Sequence, residues 1–219
     1  MFVGHLAVAL ASKRIRPSAS LGWYVGAATT ADLIWPVLVI LGVEQVRIVP
    51  GATAFNPLVF DSYPWSHSLL MLCLWAGALM VLARWRGVER SAAWLIAALV
   101  LSHWVLDYVT HAPDMPLWPG ASSPHLGLGL WNSIVATYVV EGAMWFASIA
   151  LFLRGRRPTG KRGPVLFWSL VGITTVMWAL APEGPPPTSA LALGWFALIG
   201  WIMIPWAWGA DRGYAKATA

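Results

Sequence analysis

The chain has 219 residues, of which 58% are hydrophobic and 11% charged, with a formal net charge of +5. Soluble domains carry about a quarter charged residues, so this composition excludes an ordinary soluble enzyme and marks an integral membrane protein. Its basic residues fall in short clusters between apolar runs, which orients helices in a bilayer and argues against a nucleic-acid partner, and a single cysteine, Cys73, excludes an internal disulfide.

The first apolar stretch, residues 2–11, is too short to cross: as a helix it reaches about 15 Å, half the hydrocarbon core. It predicts a short N-terminal half-helix or interfacial piece. Lys13 and Arg14 follow the stretch instead of preceding it, the reverse of a cleavable secretory signal. Longer apolar segments run approximately through 20–42, 66–83, 91–111, 132–153, 164–182 and 189–209. The expected fold is therefore all-α, a polytopic transmembrane bundle of about six spanning helices in one domain over 1–219. Residues 1–153 hold the polar groups. The two spans in 164–209 contain no ionisable side chain and are expected to be structural packing.

The connections alternate in charge. Lys13, Arg14 and Arg16, then Arg84, Arg86 and Arg90, then RGRRPTGKR (154–162), then Arg212 and Lys216 are basic; 43–65 carries only Arg47, and 112–131 has no Lys or Arg. Six spans with both termini cytoplasmic put every basic cluster inside. Trp65, Trp118 and Trp131 on the outer side and Trp85, Trp94, Trp206 and Trp208 on the inner side fit interfacial belts. The two outer loops, 43–65 and 112–131, are long and rich in Pro and Gly, which predicts that they fold back over the outer mouth as lids.

Polar residues inside the apolar segments carry the functional argument. In LSHWVLDYVTHAPD (101–114), His103, Asp107 and His111 recur every fourth residue and stack on one helix face, with Asp114 close to the same line. Asp32 lies about 15 Å below the outer end of its span, Glu141 about 14 Å, and His103 and Asp107 about 12 Å and 6 Å. His67 opens the second span, and His5 comes up from the inner side to mid-depth. No Lys or Arg stands within the membrane to neutralise the carboxylates. Imidazole and carboxylate are ligands of zinc and similar divalent ions, and such an ion makes buried carboxylates tolerable. Protonated carboxylates or His–carboxylate hydrogen bonds would instead suit a permease or transporter for a metal ion or a proton-coupled solute, and a third reading is a scaffold whose metal only braces the helices. Simpler roles stand beside these. Asp32 could satisfy backbone freed by Pro36; His111, Asp114 and His125 could be solvated; GLGLWNS (127–133) could loosen the chain and cap a helix with Asn132 or Ser133.

GH (4–5), Asp32 followed three residues later by Trp-Pro, SHSLL (66–70) and LSH…D…T…PLWP (101–119) resemble the bacterial membrane-bound metal-dependent hydrolase family. That family is similar in motif logic to zinc-dependent phospholipases C. The resemblance covers roughly residues 1–141. It implies a helical metal site in which His5, Asp32, His67, His103 and Asp107 hold one or two divalent ions, zinc by preference. It also implies hydrolysis of a phosphoester or other ester. The chain departs from the pattern at Ile34, where the family has a second Asp, at Ser62-Tyr63-Pro64 in place of His-Arg-Gly, and at Thr137, where the phospholipases have a His four residues before a Glu. His111 and Asp114 are extra ligand types. On this reading Glu141, Asp114 or His111 is the general base or orients the ligands. A lipid or lipid-linked ester reaches the site laterally, near the outer face of the bacterial inner membrane.

Overall fold

The computed structural model describes residues 1–216. Ten helices carry the architecture: α1 (Val3–Ile15), α2 (Leu21–Ala28), α3 (Thr30–Ile40), α4 (Pro64–His67), α5 (Leu69–Trp85), α6 (Arg90–Thr110), α7 (Ile134–Leu153), α8 (Arg162–Ala179), α9 (Ala190–Ala197) and α10 (Met203–Arg212). Three short antiparallel ladders join loops: β1 (Gln45–Ile48) with β2 (Leu58–Ser62), β3 (Met115–Pro116) with β4 (His125–Leu126), and β5 (Arg156–Pro158) with β6 (Tyr214–Lys216). The all-α class is as expected. Ser20, Ser68, Ser133 and Ser189 each accept a backbone N–H at the start of α2, α5, α7 and α9, caps that stabilise a helix by about 1 kcal/mol each.

Six spans are not what the structure gives. Among the described residues, three helical segments are long and apolar enough to cross a membrane: α6, α7, and the run Ala190–Arg212 that α9 and α10 form through a 3-10 turn. The segment expected at 20–42 is broken, with α2 and α3 bent by 54° around Thr29; taken as one broken span it makes four. The segment at 66–83 loses its start because Ser68 is extended (φ −67°, ψ 146°) and caps α5, leaving 17 residues in that helix. The first turn of α8 holds Arg162, Gly163 and Pro164, which shortens its apolar stretch. By length and composition, then, the expected count is too high.

The N-terminal helix is also more central than expected. Val3, Leu6, Ala7, Ala9 and Leu10 of α1 are buried, and the helix packs against α7, α2 and α6 instead of lying at the interface. Its far end anchors one pole of the molecule. Lys13 Nζ meets Asp211 Oδ2 at 2.9 Å, Arg156 Nη1 meets Asp211 Oδ1 at 2.9 Å, and the Leu21 amide donates to Oδ2 at 3.0 Å. This buried carboxylate ties α10 to α1, α2 and β5. Nearby, Gly163 and Gly213 let α8 touch the end of α10, since a Cβ on Gly163 would fall 2.4 Å from Gly213 Cα.

The opposite pole carries the long loops, and both fold back. The β1–β2 hairpin pairs Val46 with Phe60 and Ile48 with Leu58, and Arg47 grips Asp61 through two bonds of 2.7 and 2.8 Å. The Phe55 amide donates to Trp131 O at 3.0 Å, and the Phe60 ring rests against Trp35, Tyr63 and His111. Trp131 is buried against Phe55 and His111, so it is a packing residue and not part of an outer belt. GLGLWNS covers the end of α6: Leu128 and Gly129 amides donate to Tyr108 O and His111 O, and Gly127 packs so closely that a Cβ there would come 2.0 Å from Ala112 O.

Candidate metal centre

Four elements deliver the site. On α6 the four-residue spacing stacks His103 above Asp107, with Nε2 of the imidazole 3.0 Å from Oδ2 of the carboxylate. The break between α2 and α3 contributes twice. It sets Asp32 in the first turn of α3, and Ala28, the last residue of α2, accepts a hydrogen bond from His103 Nδ1 at 2.8 Å. Carbonyls at a helix end lack intrahelical partners and are free for such a bond. The single turn α4, opened by Pro64, brings in His67. Helix α1 brings in His5.

These groups converge. His67 Nε2 lies 3.6 Å from Asp32 Oδ1 and 3.8 Å from Asp107 Oδ2, and His103 Nε2 lies 3.8 Å from Asp32 Oδ1. For metal–ligand bonds of about 2.0–2.1 Å, the edge of a tetrahedral shell is about 3.3 Å. The observed separations of 3.0 to 3.8 Å, each histidine against each carboxylate, bracket that edge. With Nδ1 of His103 donating to Ala28, Nε2 of the neutral ring carries the lone pair. That atom is buried without a hydrogen-bond partner and faces a carboxylate oxygen. Two acceptors at 3.0 Å repel, so either a proton or a metal cation belongs between them, and imidazole with carboxylate is a set that a divalent ion takes.

His5 is placed differently. Its ring stacks on His103 with centroids 3.8 Å apart and planes within 4°. In-plane lone pairs of two parallel rings do not converge, so these two imidazoles cannot both ligate one ion. His5 Nε2 instead meets Asp107 Oδ1 at 2.9 Å, and the Met1 amino group reaches the same oxygen, which leaves Oδ2 to the His67 and His103 side. Two overlapping groups of metal-ligand type result: His5, His103 and Asp107, and Asp32, His67 and His103. Four of the five side chains are almost wholly enclosed. Asp32 is 49% exposed, so the site opens on its side.

The three residues expected to serve as general base or to orient the ligands are held by other partners. Glu141 is fully buried and accepts from the backbone amides of Phe2 and Gly4, at 2.9 and 3.4 Å, and from Trp131 Nε1 at 3.5 Å. It caps the start of α1. His111 and Asp114 form a pair, Nδ1 to Oδ1 at 3.0 Å, joined by Tyr63 Oη, which donates to Asp114 at 2.5 Å. Burial, reinforced by the Asp114 carboxylate, pushes the Tyr63 phenol well above its ordinary value, so it stays a donor. Tyr63 links this outer pair to the metal groups, its ring lying 5.1 Å from that of His67. His125 stands apart on β4, where it lines a cavity of about 370 Å³ with Asp61, Tyr63, Asp114 and Trp118.

Sequence reasoning gave no role at the site to Glu44, Tyr63 or Ser66. Each lies in or beside a loop, where a polar residue reads as solvated; the Pro-Trp-Ser-His turn was the signal available, since a proline-initiated turn ending on a histidine needs its first amides capped. Comparisons with protein families, with curated proteins and with solved structures return no match.

Proposed function

We propose that the chain is a membrane-embedded, metal-dependent hydrolase acting on a phosphoester or lipid-linked ester near one face of the bilayer. The observation that carries this reading is the approach of His67 and His103 Nε2 to Asp32 Oδ1 and Asp107 Oδ2, within 3.0 to 3.8 Å, with His103 Nε2 buried and without a hydrogen-bond partner. These four residues would hold the ion, for which the His/carboxylate set favours zinc, and His5 would hold Asp107 in place through Oδ1. The ion would supply an acidified water and a Lewis acid for the ester oxygen.

The other groups follow from their positions. The exposed flank of Asp32 is the entry for substrate, next to lipid-facing residues of α3 such as Val37. Asp114 fixes the proton of His111 on Nδ1, so His111 Nε2 is the basic atom of the outer pair, and Tyr63 holds Asp114. Glu141, engaged by backbone amides, serves to seat α1. The basic clusters gathered around Lys13, Arg156 and Arg212 would face the cytoplasm and the β-hairpins the outside of a bacterial inner membrane.

A second reading, a metal-braced scaffold without turnover, is favoured by the four-group shell itself, because structural zinc sites are closed by four protein ligands. One experiment separates the two. Purified protein is incubated with phospholipid in mixed micelles and the release of phosphorylated headgroup or fatty acid is followed, beside Asp107→Asn. Metal-dependent release that disappears in a folded Asp107→Asn protein supports the hydrolase. Metal bound without turnover on any ester offered supports the scaffold.

A further inference from the structure

We propose that Glu44 is a positioning residue that sets the tautomer of His67 through the Ser66 hydroxyl, leaving the lone pair of His67 on Nε2. The idea rests on the reading of His67 as a metal ligand. Glu44 leaves the end of α3, where Gly42 takes a left-handed conformation (φ 71°) and the amides of Val43 and Glu44 return to Leu38 O. That turn sends the carboxylate inward, and Glu44 is 1% exposed although it sits in a long polar loop.

Every bond it makes is as an acceptor. Oε1 takes the amides of Trp65 and Ser66 at 2.8 and 2.9 Å, and Oε2 takes the Ser66 hydroxyl at 2.6 Å. A serine hydroxyl has one hydrogen. Once that hydrogen points at Glu44, Ser66 Oγ has only lone pairs to offer His67 Nδ1, which lies 2.7 Å away. Nδ1 must then carry the ring proton. Nε2 is left bare, and it is the atom 3.6 Å from Asp32 Oδ1 and 3.8 Å from Asp107 Oδ2. His103 reaches the same state by a different route, through Ala28 O. Helix α3 therefore provides one ligand from its first turn, Asp32, and the turn that follows the helix orients another.

Glu44→Gln is the informative change, because it separates the tautomer from the fold. The glutamine Oε1 still accepts the Trp65 and Ser66 amides, so the turn stays capped. Its amide now donates to Ser66 Oγ, whose hydrogen turns to His67 Nδ1, and the ring proton moves to Nε2. The chain has five histidines, few enough to assign in a nitrogen-15 histidine spectrum of the metal-free protein in detergent. The expected result is an Nδ1–H tautomer at His67 in wild type, an Nε2–H tautomer in Glu44→Gln, and unchanged thermal unfolding. Zinc affinity measured by chelator competition should fall by about 10- to 100-fold, the usual cost of losing a group that orients a ligand. Ser66→Ala, which removes the hydroxyl, should also weaken zinc. An unchanged His67 tautomer in Glu44→Gln overturns the proposal, as does unchanged zinc affinity in a wild type that binds zinc. If the tautomer switches but wild type binds no zinc, the relay stands and the metal reading of the site falls.

Discussion

His103 and His67 solve one problem in two ways. Each must present a bare Nε2 to the same small space, and each has Nδ1 bound to something that can only accept: Ala28 O for His103, and a hydroxyl already committed to Glu44 for His67. Asp107 divides its oxygens, Oδ1 for His5 and Oδ2 for the other two rings. His5→Ala should therefore weaken zinc without abolishing binding, whereas His103→Ala should abolish it; chelator competition reads both. Glu141 is a contrasting case. Glu141→Ala strands two amides at the start of α1, which costs about 1–3 kcal/mol and should lower the thermal midpoint. Glu141→Gln keeps an acceptor and should unfold and turn over like wild type. Loss of turnover at unchanged stability in Glu141→Gln would instead put that carboxylate in the chemistry.

Among the elements, α6 and α7 were legible almost to the residue, because each is a long, mainly apolar run bounded by polar residues. The break at Thr29 was not legible. No glycine or proline marks it, and the nearby Pro36 sits inside α3 without ending it. His67 was assigned to a long span because the hydropathy does not change where Ser68 ends one helix and caps the next. Depth along the apolar segments was enough to bring Asp32, His103 and Asp107 together, since a charge or metal partner makes buried acids there tolerable. It was not enough for Glu44, which lies far from His67 in sequence and acts through the fold of a loop. That loop has its own test. The guanidinium of Arg47 holds Asp61, outside the membrane segments, below the usual carboxylate range. Its contribution to the β1–β2 hairpin is full above about pH 3.9, the ordinary value, and is lost as pH falls through the lower folded value. Amide exchange of Val46 and Ile48, corrected for intrinsic rates, should accelerate over that window, and Asp61→Asn should remove the step. At the other pole Gly163→Ala forces a Cβ into Gly213 and should destabilise by about 1–3 kcal/mol, visible in the thermal midpoint.

The molecule has two chemically distinct poles. One pole gathers Lys13, Arg156 and Asp211; the other gathers both long loops, Tyr63, His111 and Trp131. The metal groups lie below the loops, enclosed except beside Asp32. If the basic pole is cytoplasmic, a cysteine placed at Thr53 should react in intact cells with an impermeant maleimide and one at Thr159 should not, in a Cys73→Ser background; the opposite pattern reverses the orientation. The central claim is that this enclosed His/Asp cluster holds a divalent ion. The most direct test is the metal content of protein purified without chelator, by elemental mass spectrometry, beside a folded His103→Ala/Asp107→Ala double variant. The account predicts near-stoichiometric zinc or another divalent transition metal in wild type and its loss in the variant. Wild-type protein that carries none and takes up none when zinc or manganese is supplied would contradict it.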